Sequence, residues 1–315
     1  MKAWHVTAQG EQPQLGDLPV PEVTDGTVLV RVRAAGLNAL DNGIAAGMLA
    51  GMMPHQYPVV LGRDAAGVVE AVGAGVDHIK AGDEVFGHVL LVPPIQAGTL
   101  AEFALLPAAS VAVKPAGLDF IAAAALPLSA TAAAAAVDAV EPEVGQVVLV
   151  NGATGGVGSY AVQLLKGRGV TVVATGTAAD ADRLTGLGAD RVVDYTAGSV
   201  ADQVRALYSD GVDAMVNLTG MTAADVPLAA VRQGGKVSTT TMAPDQDALA
   251  AAGLTGTGIM AKAVRETTGP LAEQAAAGQL TIDVETVLPL EQAAEGLATI
   301  ASGKARGKIV VRIAD

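Results

Sequence analysis

Cysteine is absent from this chain of 315 residues, and the absence excludes several classes of protein. Disulfide scaffolds, Cys-ligated zinc sites, iron–sulfur clusters and cysteine nucleophiles all depend on it. Aromatic residues are scarce, with one Trp, four Tyr and three Phe, so few rings are present to stack on bases. The formal net charge of −13 also argues against nucleic-acid binding, because phosphate recognition needs clustered Lys and Arg.

Long hydrophobic runs of the membrane or secretory kind are also lacking. The N-terminus has no apolar segment of a signal peptide. The most apolar window, residues 120–137, is mostly alanine and contains Pro127, which favours buried helices broken near that proline over a membrane span. We therefore expect a soluble, cytoplasmic protein with no membrane partner. At about 150 residues per domain, the length indicates about two domains.

Two hydrophobic patterns divide the chain. The first third has short β-rich runs such as Val28–Val32 and Val59–Val72, which are typical of a barrel-like all-β unit. From Glu141 onward, β-branched runs alternate with helical spacing, which predicts a parallel, doubly wound sheet. The predicted strands of this sheet are Val147–Val150, Val170–Ala174, Arg191–Val193, Ala214–Val216 and Gly235–Thr239. The helices predicted between them include Gly156–Gly167 and Arg183–Leu187. Nearer the end of the chain, a helix over Leu290–Ser302 precedes a terminal strand over Lys308–Ile313.

A glycine-rich loop, Asn151–Gly158, lies between the first of these strands and its helix. Ala153, Gly155 and Gly158 meet the G-x-G-x-x-G spacing, with Ala in the first position. Small residues are needed there because the chain turns tightly and its backbone approaches a pyrophosphate. Amide groups at the helix N-terminus then hold the anion, so the loop predicts dinucleotide binding.

The end of the second strand decides which dinucleotide is expected. An Asp or Glu there would bind the ribose 2′-hydroxyl of NAD, but the chain has Thr175 and Thr177, which leave room for a 2′-phosphate. We therefore expect NADPH, with NADH less favoured but open. NADH stays the alternative because two acidic residues, Asp180 and Asp182, precede Arg183, the first basic residue after this strand that could bind a 2′-phosphate.

Other catalytic motifs are missing. The chain has no P-loop, no H-E-x-x-H, no G-x-S-x-G, and no Tyr followed four residues later by Lys. Its four histidines are scattered without metal-ligand spacing, and we expect them to be structural or exposed. His88 is the hardest to dismiss, because it follows a segment that could line a cleft.

Segments along nearly the whole chain resemble the medium-chain dehydrogenase/reductase superfamily, in its zinc-independent quinone oxidoreductase branch. They are AAGLNALD (34–41), YPVVLGRDAAGVVEAVGAGV (57–76), AGDEVFG (81–87), AGTLAEFALLPA (97–108), GATGGVG (152–158), LGADRVVDYT (187–196), VRQGGKV (231–237) and PLEQAAEGLATIASGKARGKIVVRI (289–313). The resemblance implies an α/β protein, with a GroES-like β-barrel catalytic domain (1–119 and 257–315) and an inserted Rossmann domain (120–256). It also implies a homodimer.

The resemblance bears on zinc and on the reaction. Zinc-dependent relatives carry a Cys ligand where this chain has Asn38 and a His ligand where it has Arg63, and neither replacement suits zinc. We expect no metal, and therefore an acceptor that is already electrophilic. The implied reaction is hydride transfer from NADPH to a quinone or an α,β-unsaturated carbonyl (enone). A pathway-specific enoyl reductase and a non-catalytic NADPH-binding protein of the same fold are the alternatives.

Three residues are candidates for the chemistry. Asn38 is the first candidate to donate to the acceptor oxygen, although a turn or capping Asn is equally compatible with its place. Arg63 either stabilises the enolate or pairs with Asp64 or Asp41, and we favour the ion pair. Asp41 is expected to orient its neighbours, with no proton-transfer role. The expected proton source is solvent.

The resemblance also implies cofactor contacts. Thr131 and Asn38 are expected near the nicotinamide, and Gly155, Gly156, Val157 and Gly158 at the pyrophosphate. Thr175 and Thr177 are expected at the adenosine ribose and its phosphate, and Tyr195 near the adenine or its phosphate, or else in the core. Leu218, Thr240 and Met242 are expected where the carboxyl edge of the sheet faces the ligand. Relatives often have a basic residue near Ala179 and an aromatic one within Ala132–Ala136. Without the basic residue, NADH stays an alternative to NADPH. Without the aromatic residue, we expect a larger substrate pocket. Acceptor specificity is expected in the loops Gly43–Tyr57 and His88–Gly98.

Overall fold

The computed structural model describes residues 1–241 and 243–314 of the chain. It divides into two compact units, one formed by Met1–Thr131 with Lys262–Asp315 and the other by Ala132–Ala261. The first unit therefore draws on both ends of the sequence, and the second is inserted in it. The domain boundaries expected from the sequence, 119/120 and 256/257, stay a prediction.

Strands dominate the first third of the chain, and strands and helices are interspersed from Val147 onward. Numbered in chain order, the strands are β1 (Lys2–Val6), β2 (Gln14–Asp17), β3 (Thr27–Gly36), β4 (Val59–Val60), β5 (Asp64–Val72), β6 (Glu84–His88), β7 (Phe103–Pro107), β8 (Val111–Val113), β9 (Val147–Asn151), β10 (Thr171–Gly176), β11 (Arg191–Asp194), β12 (Val212–Asn217), β13 (Val231–Thr239), β14 (Thr255–Gly258), β15 (Val284–Pro289) and β16 (Lys308–Arg312). The helices are α1 (Ala39–Ala45), α2 (Phe120–Ala124), α3 (Pro127–Ala139), α4 (Gly156–Gly167), α5 (Ala181–Gly186), α6 (Val200–Leu207), α7 (Gln246–Ala251), α8 (Arg265–Ala276) and α9 (Ala293–Ala301).

The first unit is built on two sheets. One has the order β2-β1-β4, and the larger has the order β15-β16-β3-β5-β6-β8, with β7 also paired to β3. Most neighbours run antiparallel, whereas β15 and β16 are parallel. Apolar side chains from both sheets and from α9 share one core, which includes Trp4, Val30, Leu61, Ile95 and Leu297. This arrangement agrees with the β-rich unit predicted for the first third of the chain.

The alanine-rich window forms two helices, as predicted. Asp119 caps α2 by accepting a hydrogen bond from the amide of Ala122 at 2.7 Å. The helix ends before Pro127, which begins α3. A Cβ atom at Gly36, the last residue of β3, would collide with the carbonyl of Ala124, so glycine allows α2 to approach the sheet. Among the described residues, no helix is both long and apolar enough to cross a membrane.

The second unit holds a six-stranded sheet whose strands are all parallel. Its order is β11-β10-β9-β12-β13-β14, so the chain order reverses between β9 and β12. This is the strand order of a Rossmann fold, and such a reversal leaves a crevice at the carboxyl ends of the two strands. The central strands β9, β10 and β12 are largely buried and apolar, because helices cover both faces of a parallel sheet. The predicted doubly wound sheet is confirmed.

Candidate active site

A group of buried polar side chains lies in the first unit. We call it the polar cluster; it consists of Asn38, Asp41, Arg63, Asp64, His88, Ser129 and Lys308, all less than a tenth exposed. Burying so many polar and charged groups is unfavourable unless they satisfy one another, so their partners decide what the cluster does.

Asn38 stands directly before α1, and its side chain faces the cluster. The side-chain Nδ2 donates to Asp64 Oδ2 at 3.0 Å and, more weakly, to the carbonyl of Gly36 at 3.4 Å. Its Oδ1 accepts from Lys308 Nζ at 2.8 Å and from Ser129 Oγ at 3.3 Å. The helix start is secured instead by Asp41, whose Oδ2 accepts from the backbone amide of Asn38 at 2.8 Å. The amide of Asn38 is therefore used within the cluster.

Asp64, the first residue of β5, is the hub of the cluster. Besides Asn38, its carboxylate receives His88, whose Nδ1 lies 2.7 Å from Oδ1. The backbone amide of Leu128, in the first turn of α3, donates to both carboxylate oxygens at 3.2 and 3.3 Å. Lys308 Nζ lies 3.9 Å from Oδ2. Asp64 thus ties together β5, β6, β16 and the beginning of α3.

Asp41 and Arg63 are less well satisfied. Burial raises the pKa of Asp41 to about 7, against the smaller lowering effects of the Asn38 amide and of the Arg63 charge. Burial also lowers the pKa of Arg63, while Asp41 and Asp64 oppose that shift. Within residues 1–241 and 243–314, Asp41 Oδ1 and the Nε and Nη2 atoms of Arg63 have no hydrogen-bond partner. Arg63 is attracted to both carboxylates without a direct hydrogen bond to either.

The glycine loop lies in the second unit, at the reversal of strand order. It leaves β9, and α4 begins at Gly156, one residue after Gly155. A Cβ atom at Gly158 would approach Ala153 Cα to 2.6 Å, so the glycine permits the helix to pack against the loop. A Cβ atom at Gly155 would meet no atom nearer than the carbonyl of Gly152 at 3.7 Å, which leaves that side of the loop open. This geometry suits a pyrophosphate at the helix N-terminus.

The ends of neighbouring strands support the loop. Thr175 Oγ1 accepts from the amide of Gly152 at 2.8 Å, so this predicted ribose contact is itself buried beneath the loop. Asn151 Nδ2 donates to Asn217 Oδ1 at 2.8 Å, and Asn217 Nδ2 donates to Thr239 Oγ1 at 3.1 Å. These side chains join the carboxyl ends of β9, β12 and β13, where a Rossmann fold binds its ligand.

The end of β10 has a second feature that bears on the cofactor. Asp180 Oδ2 accepts from both the amide and the hydroxyl of Thr177, at 2.9 and 2.7 Å. This carboxylate oxygen is therefore used within the protein. Arg183, in α5, is half-buried, and its Nη2 donates to the carbonyl of Thr154 in the glycine loop at 2.7 Å. A guanidinium thus stands between the loop and the strand end.

The other predicted contacts are distributed as follows. Thr131 Oγ1, in unit one, donates to the carbonyl of Pro127 at 2.5 Å within α3. Tyr195 follows β11 and is about half exposed, at 51%, so it does not belong to the core. Leu218 and Thr240 follow β12 and β13, where their amides donate to the backbone of neighbouring strands. Met242 lies outside the described residues.

Comparison with known proteins places this geometry in a family. Residues 24–116 match the alcohol dehydrogenase GroES-like domain, and residues 187–311 match the zinc-binding dehydrogenase model. The human mitochondrial NAD(P)H oxidoreductase RTN4IP1 is 30% identical to this chain over an alignment that covers 99% of this chain and 89% of that protein. The 2-methylene-furan-3-one reductase of Solanum lycopersicum is 32% identical over 99% of this chain and 79% of its own length.

The chain belongs to the medium-chain dehydrogenase/reductase superfamily, in its quinone oxidoreductase branch. A further superfamily member, the chloroplastic NADPH-dependent alkenal/one oxidoreductase of Arabidopsis thaliana, is 35% identical over 75% of this chain and 61% of its own.

Solved structures of the superfamily superpose along the whole chain. The quinone oxidoreductase of Coxiella burnetii has a TM-score of 0.88 at 27% identity, covering 99% of each chain. A mycobacterial protein complexed with NADPH has a TM-score of 0.87 at 28% identity, covering 99% of this chain and all of the other. An NAD-dependent alcohol dehydrogenase also has a TM-score of 0.87, at 32% identity and the same coverage.

Zinc is the metal that the name of one matching family model implies, and the residues of the polar cluster do not fit it. Asn38 and Arg63 occupy the positions that we matched to the Cys and His ligands, and an amide and a guanidinium are poor zinc donors. In the part of the chain that the structure describes, no group of three or more His, Cys, Asp or Glu side chains could hold a metal ion. The cluster instead contains two cationic side chains, Arg63 and Lys308.

Sequence reasoning missed several members of these groups. Lys308 was expected only within a terminal strand, and Asp64 and His88 were not joined to Asn38. Lys308 begins the apolar run KIVV, but a lysine at a strand end is ordinarily exposed, so nothing local marked it as buried. The partners are far apart in the sequence, and only the pairing of β16 with β3 brings them together.

Proposed function

We propose that the protein transfers hydride from NADPH to a quinone or an α,β-unsaturated carbonyl compound without zinc. The observation that carries the proposal is the donor set of the polar cluster, which offers an amide and two cations where zinc-dependent relatives hold their metal. An acceptor conjugated to a carbonyl needs no Lewis acid to become electrophilic. The named relatives that reduce alkenals and a methylene-furanone support this class of acceptor.

When bound, NADPH supplies the hydride, and negative charge then develops on the acceptor oxygen. Arg63 suits stabilisation of that charge, because its Nε and Nη2 have no hydrogen-bond partner among the described residues. Asn38 suits a supporting role better than direct donation, since both its side-chain hydrogens already have acceptors. Asp41 suits orientation of Asn38 through the backbone amide. Solvent stays the proposed proton source.

The glycine loop is the proposed cofactor site, with Gly155, Gly156 and Val157 at the pyrophosphate. NADPH is favoured over NADH because no carboxylate ends β10 and because Arg183 lies beside the loop. The NADPH complex of a related structure supports this preference, while a similar NAD-dependent alcohol dehydrogenase is the counterexample. Thr131, Tyr195, Leu218 and Thr240 stay proposed contacts.

A cytoplasmic homodimer completes the proposal, on the basis of the family resemblance. Relatives named above are mitochondrial or chloroplastic, so location varies within the superfamily. Light scattering after size-exclusion chromatography measures the assembly: a mass twice that of the chain is expected, and a monomer at all concentrations contradicts it.

NADPH oxidation assays test the activity. We expect turnover with simple enones and quinones and none with the corresponding saturated ketones. Turnover confined to enoyl thioesters would favour a pathway-specific enoyl reductase. Tight NADPH binding without turnover of any acceptor would favour a non-catalytic protein of the same fold.

A further inference from the structure

Lys308 is a lysine buried at the beginning of β16. Its side chain is only 2% exposed, although lysine is among the residues least often buried. The strand places it beside β3, because Val310 and Val311 pair with Gly36 and Ala35. A buried ammonium persists only where its charge and its hydrogens are matched.

The ammonium of Lys308 has an acceptor for each of its three hydrogens. Nζ donates to Asn38 Oδ1 at 2.8 Å, to the carbonyl of Leu37 at 2.9 Å and to Ser129 Oγ at 3.0 Å. The charge is matched by Asp64, whose Oδ2 lies 3.9 Å away. Lys308 therefore joins three separate segments of the first unit through one cation.

This contact sets the orientation of Asn38. Because Oδ1 accepts from the ammonium, the amide nitrogen must face Asp64, to which it donates at 3.0 Å. Rotating the amide by half a turn would place its NH₂ group against Lys308 and its oxygen against the Asp64 carboxylate, which is unfavourable on both sides. In the described parts of the chain, the other charged or titratable members of the cluster, Asp41, Arg63 and His88, make no hydrogen bond to the side chain of Asn38.

We propose that Lys308 is a positioning residue whose ammonium brings to the polar cluster a positive charge that zinc brings in the metal-dependent relatives. It does so by holding Asn38, at the position of one metal ligand, and by balancing Asp64, which follows the position of another. Without this cation, Asp64 would keep less positive charge around it, at the place where the proposed reaction builds negative charge on the acceptor. The inference rests on the proposed reduction of an enone or quinone.

The first test compares Lys308→Met with Lys304→Met. Methionine keeps the length of the side chain and removes its charge, and Lys304 is an exposed lysine four residues earlier. We expect kcat for an enone to fall about 10- to 100-fold in Lys308→Met, the range for loss of charge-assisted hydrogen bonds from one buried cation. The KM for NADPH should not change, and Lys304→Met should behave as the wild type. An unchanged kcat in Lys308→Met overturns the proposal.

Chemical rescue separates charge from packing. In Lys308→Ala, ethylammonium chloride should raise both the melting temperature and kcat, while potassium chloride at the same ionic strength should not. The wild type should respond to neither. If ethylammonium leaves the melting temperature of Lys308→Ala unchanged, the binding site for a cation is refuted. This outcome does not depend on whether the wild type reduces an acceptor. If melting temperature recovers but kcat does not, Lys308 is only structural.

A double variant covers the case in which Lys308→Met does not fold. Lys308→Met with Asp64→Asn removes both charges of this pair, which should favour folding because no buried carboxylate at position 64 is left beside the missing ammonium. We expect this folded variant to bind NADPH but to have a reduced kcat. Wild-type kcat in the double variant overturns the proposal. Absence of turnover in the wild type itself would instead count against the proposed function.

Discussion

The buried carboxyl of Asp41 makes the stability of the first unit depend on pH. Asp41 is fully buried, and burial raises its pKa from an ordinary 3.8 to about 7. Below pH 3.8 the group is protonated in both the folded and the unfolded chain. As pH rises towards 7, the unfolded chain releases the proton while the folded chain retains it, so the folded state loses stability.

The size of the effect follows from the shift. A shift of about 3 pKa units at about 1.4 kcal/mol each corresponds to about 4 kcal/mol of stability lost between pH 4 and pH 7. In Asp41→Asn this loss is absent, since the amide does not titrate. The amide oxygen can still accept from the backbone of Asn38, and an amide nitrogen left without an acceptor would add a cost that does not vary with pH. The difference between variant and wild type therefore isolates the titration.

Thermal melting across pH 4–8 measures this difference. At about 2–4 °C per kcal/mol for a domain of this size, the melting temperature of Asp41→Asn relative to wild type should rise by about 10 °C from pH 4 to pH 8. Asp77→Asn is the matched control, because the side chain of Asp77 is 99% exposed. A difference that is the same at pH 4 and pH 8 refutes the reasoning.

The remaining predictions concern the second unit. Gly155→Val should fold, because its Cβ would make only an ordinary contact of 3.7 Å with the carbonyl of Gly152, yet its side chain should block the pyrophosphate and abolish NADPH binding. Unchanged affinity by fluorescence titration contradicts the assigned loop. Gly158→Ala should lower the melting temperature, since its Cβ would collide with Ala153, and wild-type stability would show that the contact is not tight. Arg183→Ala should weaken binding of 2′,5′-ADP about tenfold or more while 5′-AMP is unaffected, because loss of a charge-assisted contact to phosphate costs at least about 1.4 kcal/mol. Equal weakening of both probes would mean that Arg183 only supports the loop.

Much of the fold could be predicted because its signals are local. Helix α4 begins and ends where the spacing predicts, at Gly156 and Gly167. The central strands of the parallel sheet, β9, β10 and β12, are buried runs rich in β-branched residues, which short windows reveal. Strand β14 was missed because its sequence, TGTG, has neither an apolar run nor a clear alternation.

The candidate site was only partly predictable, because its contacts are long-range. Asn38 and Arg63 were identified through resemblance, and Asp41 and Asp64 were named as possible partners of Arg63, but the partners of Asn38 were not identified. Lys308 and Asn38 are 270 positions apart, and no pattern in either segment indicates the other. The capping role considered for Asn38 is filled by its backbone together with Asp41, a division of labour that composition cannot reveal.

The most direct test of the central claim is NADPH oxidation with an enone before and after exhaustive dialysis against a metal chelator. The polar cluster predicts the same rate in both cases, with no further increase when zinc is added back. No oxidation of NADPH with any enone or quinone would contradict the proposed activity. A rate lost on dialysis and restored by zinc would contradict the assignment of the cluster's positive charge to the chain itself.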